Sequence, residues 1–330
     1  MSFKRLDPED FLLSVDSVTA TAWSTNSPTL TTFFTSSVSS TNDSYYKNVY
    51  QTASTVSGSA VQFAIAYGNK QGSGSALFND AITGSSPTRT IYGQYRNLVY
   101  GSETAEFIFG TVTASDFWAI SVDRSRYKEH LLKGTFNLTL SGSGIQTLKL
   151  TDNSGMVSTD TYLDCGRVYQ IISGSNGTAF SGTGYSPSSG SYGLFLPDIA
   201  TIILNPLALS QSINLSPSRS FDSDGLNIQR LFTAVSGAAS FQLNSEETVT
   251  SDYVFVRARN SEFNYSENPS FISGSTGDVL YSTFINSPQT YMTTVGFYND
   301  TNDLLAVAKL SKPLTKDFTK EALVRVKLDF

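Results

Sequence analysis

The chain is poor in the residues on which most enzyme chemistry depends: its 330 residues include one cysteine and one histidine. A single cysteine, Cys165, excludes an internal disulfide framework and argues against export as a small stapled domain. A zinc site built from Cys and His is excluded with it. Any Ser-His-Asp or Cys-His arrangement would have to use His130. That residue lies beside Leu131 and Leu132 in DRSRYKEHLLKG, where a surface or helix-end histidine is the ordinary reading. Cys165, in YLDCGRVY, has the spacing of a buried strand residue and reads as core rather than nucleophile. Charged residues make up only 15% and the net charge is −6, so there is no general attraction to nucleic acid or an anionic membrane. Long apolar runs are also missing. IATIILNPLAL (Ile199 to Leu209) is too short to span a bilayer and reads as a buried strand followed by a turn. MSFKRLDPEDFLLSVD lacks a continuous apolar stretch, so no signal peptide is expected, and the NLT and NGT triplets at Asn137 and Asn176 read as accidents of composition.

What is present is a polar, uncharged background of Ser, Thr, Asn and Gly, set with 17 Tyr and 22 Phe. Such a mixture favours strands and turns over long helices, and it is too aromatic for a disordered chain. The expected fold is α+β, mainly antiparallel β-sheet and sandwich-like, with a few short helices. One helix is expected from Pro87 to Tyr100, with Ser86 as its cap, Gly101 at its end, and Tyr92, Tyr95 and Val99 on one face. A second is expected in DRSRYKEHLLKG, stopped by Gly134. FIFGTVTASDFWAISV reads as strand, and FNLTL and IQTLKL flank a Ser-Gly turn.

Charge divides the chain unevenly. Residues 135–252 carry four Lys/Arg against nine Asp/Glu, whereas Leu304 to Phe330 carries six against three. The expected organisation is an N-terminal arm over 1–19, a core α+β domain from 20–134 plus 253–330, and an inserted β-rich domain over 135–252. Within the core, Ala20 to Ser59 suits exposed strand or loop. No internal repeat stands out.

Motifs of cofactor or metal chemistry are incomplete. GNKQGSGS at Gly68 lacks the Gly-Lys-Ser/Thr ending of a phosphate-binding loop. FDSDGLN at Phe221 lacks the later ligands of a calcium loop and reads as a turn. Glu246 and Glu247 are adjacent, so on a strand they face opposite sides and suit shared glycosidase chemistry poorly. No catalytic residue, cofactor or metal is expected.

The C-terminal region is the most regular. Tyr291 to Tyr298 reads as a strand, NDTND as a turn, Leu304 to Leu310 as the return strand, and SKPLTKDFTKEA as a linker. In VRVKLDF, Val324, Val326, Leu328 and Phe330 point one way while Arg325, Lys327 and Asp329 point the other. A chain that closes on a half-buried strand has its end tied into the fold. The candidate interface residues are Phe3, Phe11 and Leu12 in the arm, and Arg257, Arg259, Phe263 and Tyr265 in RARNSEFNYSENPSF. Lys309, Lys312, Lys316 and Lys320 in the basic tail complete the set. The arginines are expected to pair with Glu262 or Glu267, or with an acidic neighbour.

FKRLDPEDF, FWAISVDRSRYKEHLLKG, GLFLPDIATIILNP and VRARNSEFNYSENPSF, together with the ending LLAVAKLSKPLTKDFTKEALVRVKLDF, resemble structural proteins of contractile-tailed bacteriophages. The nearest resemblance is to the T-even-like group infecting marine bacteria, and it covers most of the chain. It implies a non-enzymatic tail or baseplate component of the virion, assembled in the host cytoplasm in several copies beside other virion proteins. The alternative from the residues themselves is a carbohydrate-binding or receptor-contacting module at the tail periphery, with a host-surface glycan met by Tyr185 and Tyr192 in the Ser/Gly loops. A hydrolase of wall or surface glycan is the third reading.

Overall fold

Alternation of side chains across extended backbone builds the larger part of the molecule. In the computed structural model, which describes residues 4–35, 46–72, 87–142, 144, 146–218, 224–266 and 268–329, Asp116–Val122 sends Trp118, Ile120 and Val122 into one apolar cluster. It sends Phe117 and Ala119 into another. Thr201–Leu204 divides in the same way, Ile202 and Leu204 against Ile203. Both strands are therefore buried on both faces, and each face needs a cover. The helix Thr88–Tyr100 supplies one cover with Ile91, Tyr92 and Val99. The helix Asp224–Ala238 supplies the other with Ile228, Leu231, Ala234 and Val235.

These strands belong to one antiparallel sheet of thirteen among the described residues. Its centre runs from Gly166–Ser175 through Gly193–Leu196, Thr201–Leu204 and Asp116–Val122 to Val61–Asn69. The protein is thus α+β and mainly antiparallel sheet, as the composition implies, with four α-helices among the described residues.

The chain divides into two units, residues 17–247 and residues 1–16 with 248–330. The expected division is corrected accordingly. The insertion expected over 135–252 is no separate domain: its residues 135–247 fold with 17–134, because Thr201–Leu204 pairs with Asp116–Val122 and Phe241–Gln242 with Thr29–Leu30. The tail belongs with the N-terminus instead. The second half of the arm expected over 1–19 lies in a strand, Phe11–Thr21, which pairs with Asn244–Ala258.

Four local expectations are also corrected. DRSRYKEHLLKG is not a helix: Asp123 accepts the Ser125 amide at 3.0 Å and caps a single 3-10 turn, Arg124–Arg126. Leu131 is then drawn into the core in a short strand that pairs with Ser245 and Glu246. After Thr201–Leu204 comes a helix, Pro206–Ile213, not a turn. Asn205 accepts the Leu207 amide at 3.0 Å and Pro206 takes the first helical position. Residues 20–59 are not merely exposed, since Ala22, Trp23, Leu30 and Val49 are buried. Finally, the return strand of the terminal hairpin runs on from Leu304 to Lys316, absorbing half of the expected linker, with a break in register opposite Met292 and Thr294. Ser86, Phe221, Glu267, Phe3 and Phe330 lie outside the described residues.

The helix at 88–100 forms as expected. It ends on Gly101 in the left-handed conformation (φ 58°), whose amide reaches the Asn97 carbonyl at 2.9 Å.

Trp118 ties the helix 224–238 to the sheet, because its indole N–H donates to the Asn227 carbonyl at 2.9 Å in a fully buried position. Trp118→Phe is expected to cost about 2 kcal/mol, from a smaller side chain and an unsatisfied carbonyl. An unchanged midpoint in urea would show that this contact contributes nothing.

Candidate interaction surface

The segment RARNSEFNYSENPSF begins as strand and then turns sharply at Arg259. The Glu262 amide donates to the Arg259 carbonyl at 3.0 Å, and the Glu262 carboxylate accepts the Arg259 amide at 2.8 Å. That amide, with the Lys4 ammonium 3.3 Å away, holds the Glu262 carboxyl below its usual range. Lys4 also donates to the Arg257 carbonyl, so the N-terminal segment is clasped to the turn. Phe263 follows in the left-handed region (φ 56°), unusual for a large side chain. It is held there by Thr290, whose hydroxyl donates to its carbonyl at 2.6 Å, and by the Asn264 amide group on the Asn260 carbonyl, also at 2.6 Å.

Between this turn and residues 4–10 lies a groove of about 920 Å³. Its lining joins the basic Lys4, Arg5, Arg257 and Arg259, the acidic Asp7, Glu9, Asp10 and Glu262, and the apolar Phe255, Phe263 and Leu323. Three sequence candidates, Arg257, Arg259 and Phe263, are therefore brought together. Arg259 meets Glu262 through its backbone amide rather than its guanidinium. Tyr265 is exposed two residues beyond Phe263, and Phe11 and Leu12 are exposed on their strand.

The basic tail is only partly a docking surface. Lys309 and Lys312 are exposed on the hairpin, and Lys320 is exposed 3.3 Å from Asp317. Lys316 is corrected: it is fully buried. Its ammonium donates to the Asn260 carbonyl at 3.0 Å, the Asn264 side-chain oxygen at 2.8 Å and the Asp317 carbonyl at 2.8 Å. It acts as a structural clamp between the 260–264 turn and the end of the hairpin.

Sequence reasoning missed a set of exposed apolar side chains in the same unit. Tyr291, Leu304, Leu305 and Val307 stand out on the hairpin, and Leu13 and Val15 on the N-terminal strand. Their signal was the consecutive apolar run LLAVA, which exceeds what one buried face of a strand requires.

Elsewhere, reactive side chains are isolated. His130 lies in a strand, not at a helix end, with Nδ1 3.7 Å from a Glu246 oxygen and without a hydrogen bond. Burial pushes the Cys165 thiol up to about 11, which keeps it protonated at neutral pH. It lies in the turn before Gly166–Ser175 and packs at the edge of the second apolar cluster. Among the described residues there is no group of three or more His, Cys, Asp or Glu able to hold a metal ion, and no helix long and apolar enough to cross a membrane. No protein-family model, curated protein or solved structure matches the chain.

Proposed function

We propose that the chain is a non-enzymatic structural and assembly component of a contractile-tailed phage particle, placed in the tail baseplate or neck. The observation that carries this reading is the apolar balance of the unit formed by residues 1–16 and 248–330. Among its described residues, six apolar side chains are buried: Val254, Ala258, Phe284, Ala322, Val324 and Val326. Seventeen large ones, from Phe11 to Leu323, remain exposed. A monomeric surface scatters such residues singly, whereas exposure on this scale marks a contact surface. The two-stranded hairpin Thr290–Lys316 adds to the argument, since an isolated hairpin is marginal in water until something packs on it.

The tyrosines on which the glycan-binding alternative rests are partly exposed. Tyr192 is half-buried against the large core and its hydroxyl bonds Ser212 at 2.8 Å, while Tyr185 is half-buried where it packs beside Gly110.

The test is to fractionate purified particles of the encoding phage into heads and tails and quantify the chain by mass spectrometry. The expected result is its presence in several copies in the tail fraction. Its absence from purified particles would overturn the assembly reading.

A further inference from the structure

Around the groove between residues 4–10 and the turn at Arg259, the lysine is committed within the chain and the arginines are not. The Lys4 ammonium serves the Glu262 carboxylate and the Arg257 carbonyl. The guanidinium groups of Arg5, Arg257 and Arg259 line the same groove, belong to exposed residues, and make no hydrogen bond or ion pair among the described residues. Arg325 extends the set. It lies opposite Phe255 in the antiparallel pair of Asn244–Ala258 with Ala322–Asp329, and directly opposed residues share a side of the sheet. It is exposed and rests on the Tyr253 ring, 5.5 Å from its centre. Farther along that side Lys327 is paired with Asp329 at 2.8 Å. The unpaired positive charge therefore gathers at the groove end.

The acidic lining is largely taken up internally. Glu262 accepts from the Arg259 amide and from Lys4, and Asp10 accepts the Asp7 amide at 3.0 Å. At most the Asp7 and Glu9 carboxylates are left to set against four guanidinium groups. In a chain of net charge −6 this is a local excess of the opposite sign. Arginine suits recognition of carboxylates, because its planar fork binds both oxygens at once. Beside the arginines, Phe255, Phe263 and Leu323 offer an apolar seat, the last two exposed. Nucleic acid fits less well. The Asp7 and Glu9 carboxylates repel a uniform polyanion, and the Tyr253 ring, on which a base would stack, already carries Arg325 and Lys327.

We propose that this groove docks an acidic segment of a neighbouring protein. Carboxylates of that segment meet the guanidinium groups of Arg257 and Arg259, with Arg5 and Arg325 beside them, and an apolar side chain sits on Phe255, Phe263 and Leu323. Because the Lys4 clasp already holds the N-terminal segment to the turn, the groove stands formed before the partner arrives and little ordering is left to oppose binding. The inference rests on the assembly reading and names the chemistry of the partner that reading requires.

The experiment is fluorescence anisotropy of the full chain with three labelled probes. They are a glutamate-rich peptide with a central leucine, the same peptide with lysine in place of glutamate, and a single-stranded oligothymidylate of equal length. The acidic peptide is expected to bind, less tightly as salt is added, and the other two are not. Arg257→Glu with Arg259→Glu should weaken the acidic peptide by about tenfold or more and admit the lysine peptide. Such an exchange of preference separates lost recognition from lost folding, since an unfolded unit would bind neither peptide specifically. No binding of the acidic peptide, tighter binding of the oligothymidylate, or a double variant with wild-type preference would each overturn the proposal. A chain found in particles that ignores the acidic peptide overturns this inference alone. A chain that binds the peptide but is absent from particles overturns only the assembly reading.

Discussion

Replacing Lys316 by methionine is expected to destabilise the unit of residues 1–16 and 248–330 while the thirteen-stranded sheet stays folded. Methionine matches the length of the lysine stem but donates no hydrogen bond. Three oxygens, two of them backbone carbonyls, then lose the ammonium that satisfies them. Only the Asp317 contact is fully buried, while the other two are part-buried and open to water, so the cost is about 1–3 kcal/mol. The unit is vulnerable because its apolar core is thin, six buried side chains among the described residues. The unit of residues 17–247 has its own two clusters, which contain none of these residues. Calorimetry should show one transition shifted downward and one unmoved, and hydrogen exchange should rise across 248–258. If both transitions stay in place, the ammonium is not the clamp that its geometry indicates.

The difference between Lys316 and its neighbours shows what the sequence makes legible. Val324, Val326, Arg325 and Lys327 announce a half-buried strand because burial alternates with the pleat, and the structure alternates as they do. The helix at 88–100 is legible for a similar reason, since Gly101 marks its end and Tyr92 and Val99 its buried face. Lys316 gives no such signal. Its burial depends on carbonyls of Asn260 and Asp317, and backbone acceptors leave no trace in residue identity.

The helix Asp224–Ala238 stood between these cases. Ile228, Leu231 and Val235 have helical spacing, but the Asp-Gly at its start carries a strong turn signal. The pairing of Phe241–Gln242 with Thr29–Leu30 was beyond local reading altogether, because two short strands two hundred residues apart meet only through shared packing. There Trp23 and Phe63 close on Phe241, with ring centres 4.9 and 5.4 Å away. The same limit explains the misplaced domain boundary. Composition changes near residue 135, but strand pairing, not composition, decides which residues fold together. Arg257 and Phe263 were legible as loop anchors, whereas the groove they share with Lys4 needs a contact across more than 250 positions.

Removing the C-terminal strand is expected to have the largest effect. A chain ending at Glu321 loses eight positions of pairing with the long strand, from Ala258 opposite Ala322 to Ser251 opposite Asp329. It also loses Ala322, Val324 and Val326, three of the unit's six buried apolar side chains among the described residues, and uncovers Ala258 and Val254, which lie opposite Ala322 and Val326. Burial of each valine is worth about 1.5–3 kcal/mol, so these two alone account for about 3–6 kcal/mol. The freed strand edge then adds unpaired backbone groups on Asn244–Ala258. That loss is comparable to the whole stability of a small domain, about 5–15 kcal/mol, so the unit should not fold. The alternation in VRVKLDF implies that the end of the chain is tied into the fold as a whole. The division at residues 16 and 247 narrows the expectation. The truncated chain should retain one cooperative transition and the near-ultraviolet signal of Trp23 and Trp118, which lie in the surviving unit. It should lose protection across 248–258 and aggregate as concentration rises, through the exposed hairpin and the uncovered strand. Retention of two transitions at wild-type midpoints would mean that the C-terminal strand is an ornament on a core completed elsewhere, and the assignment of this unit's core would fall.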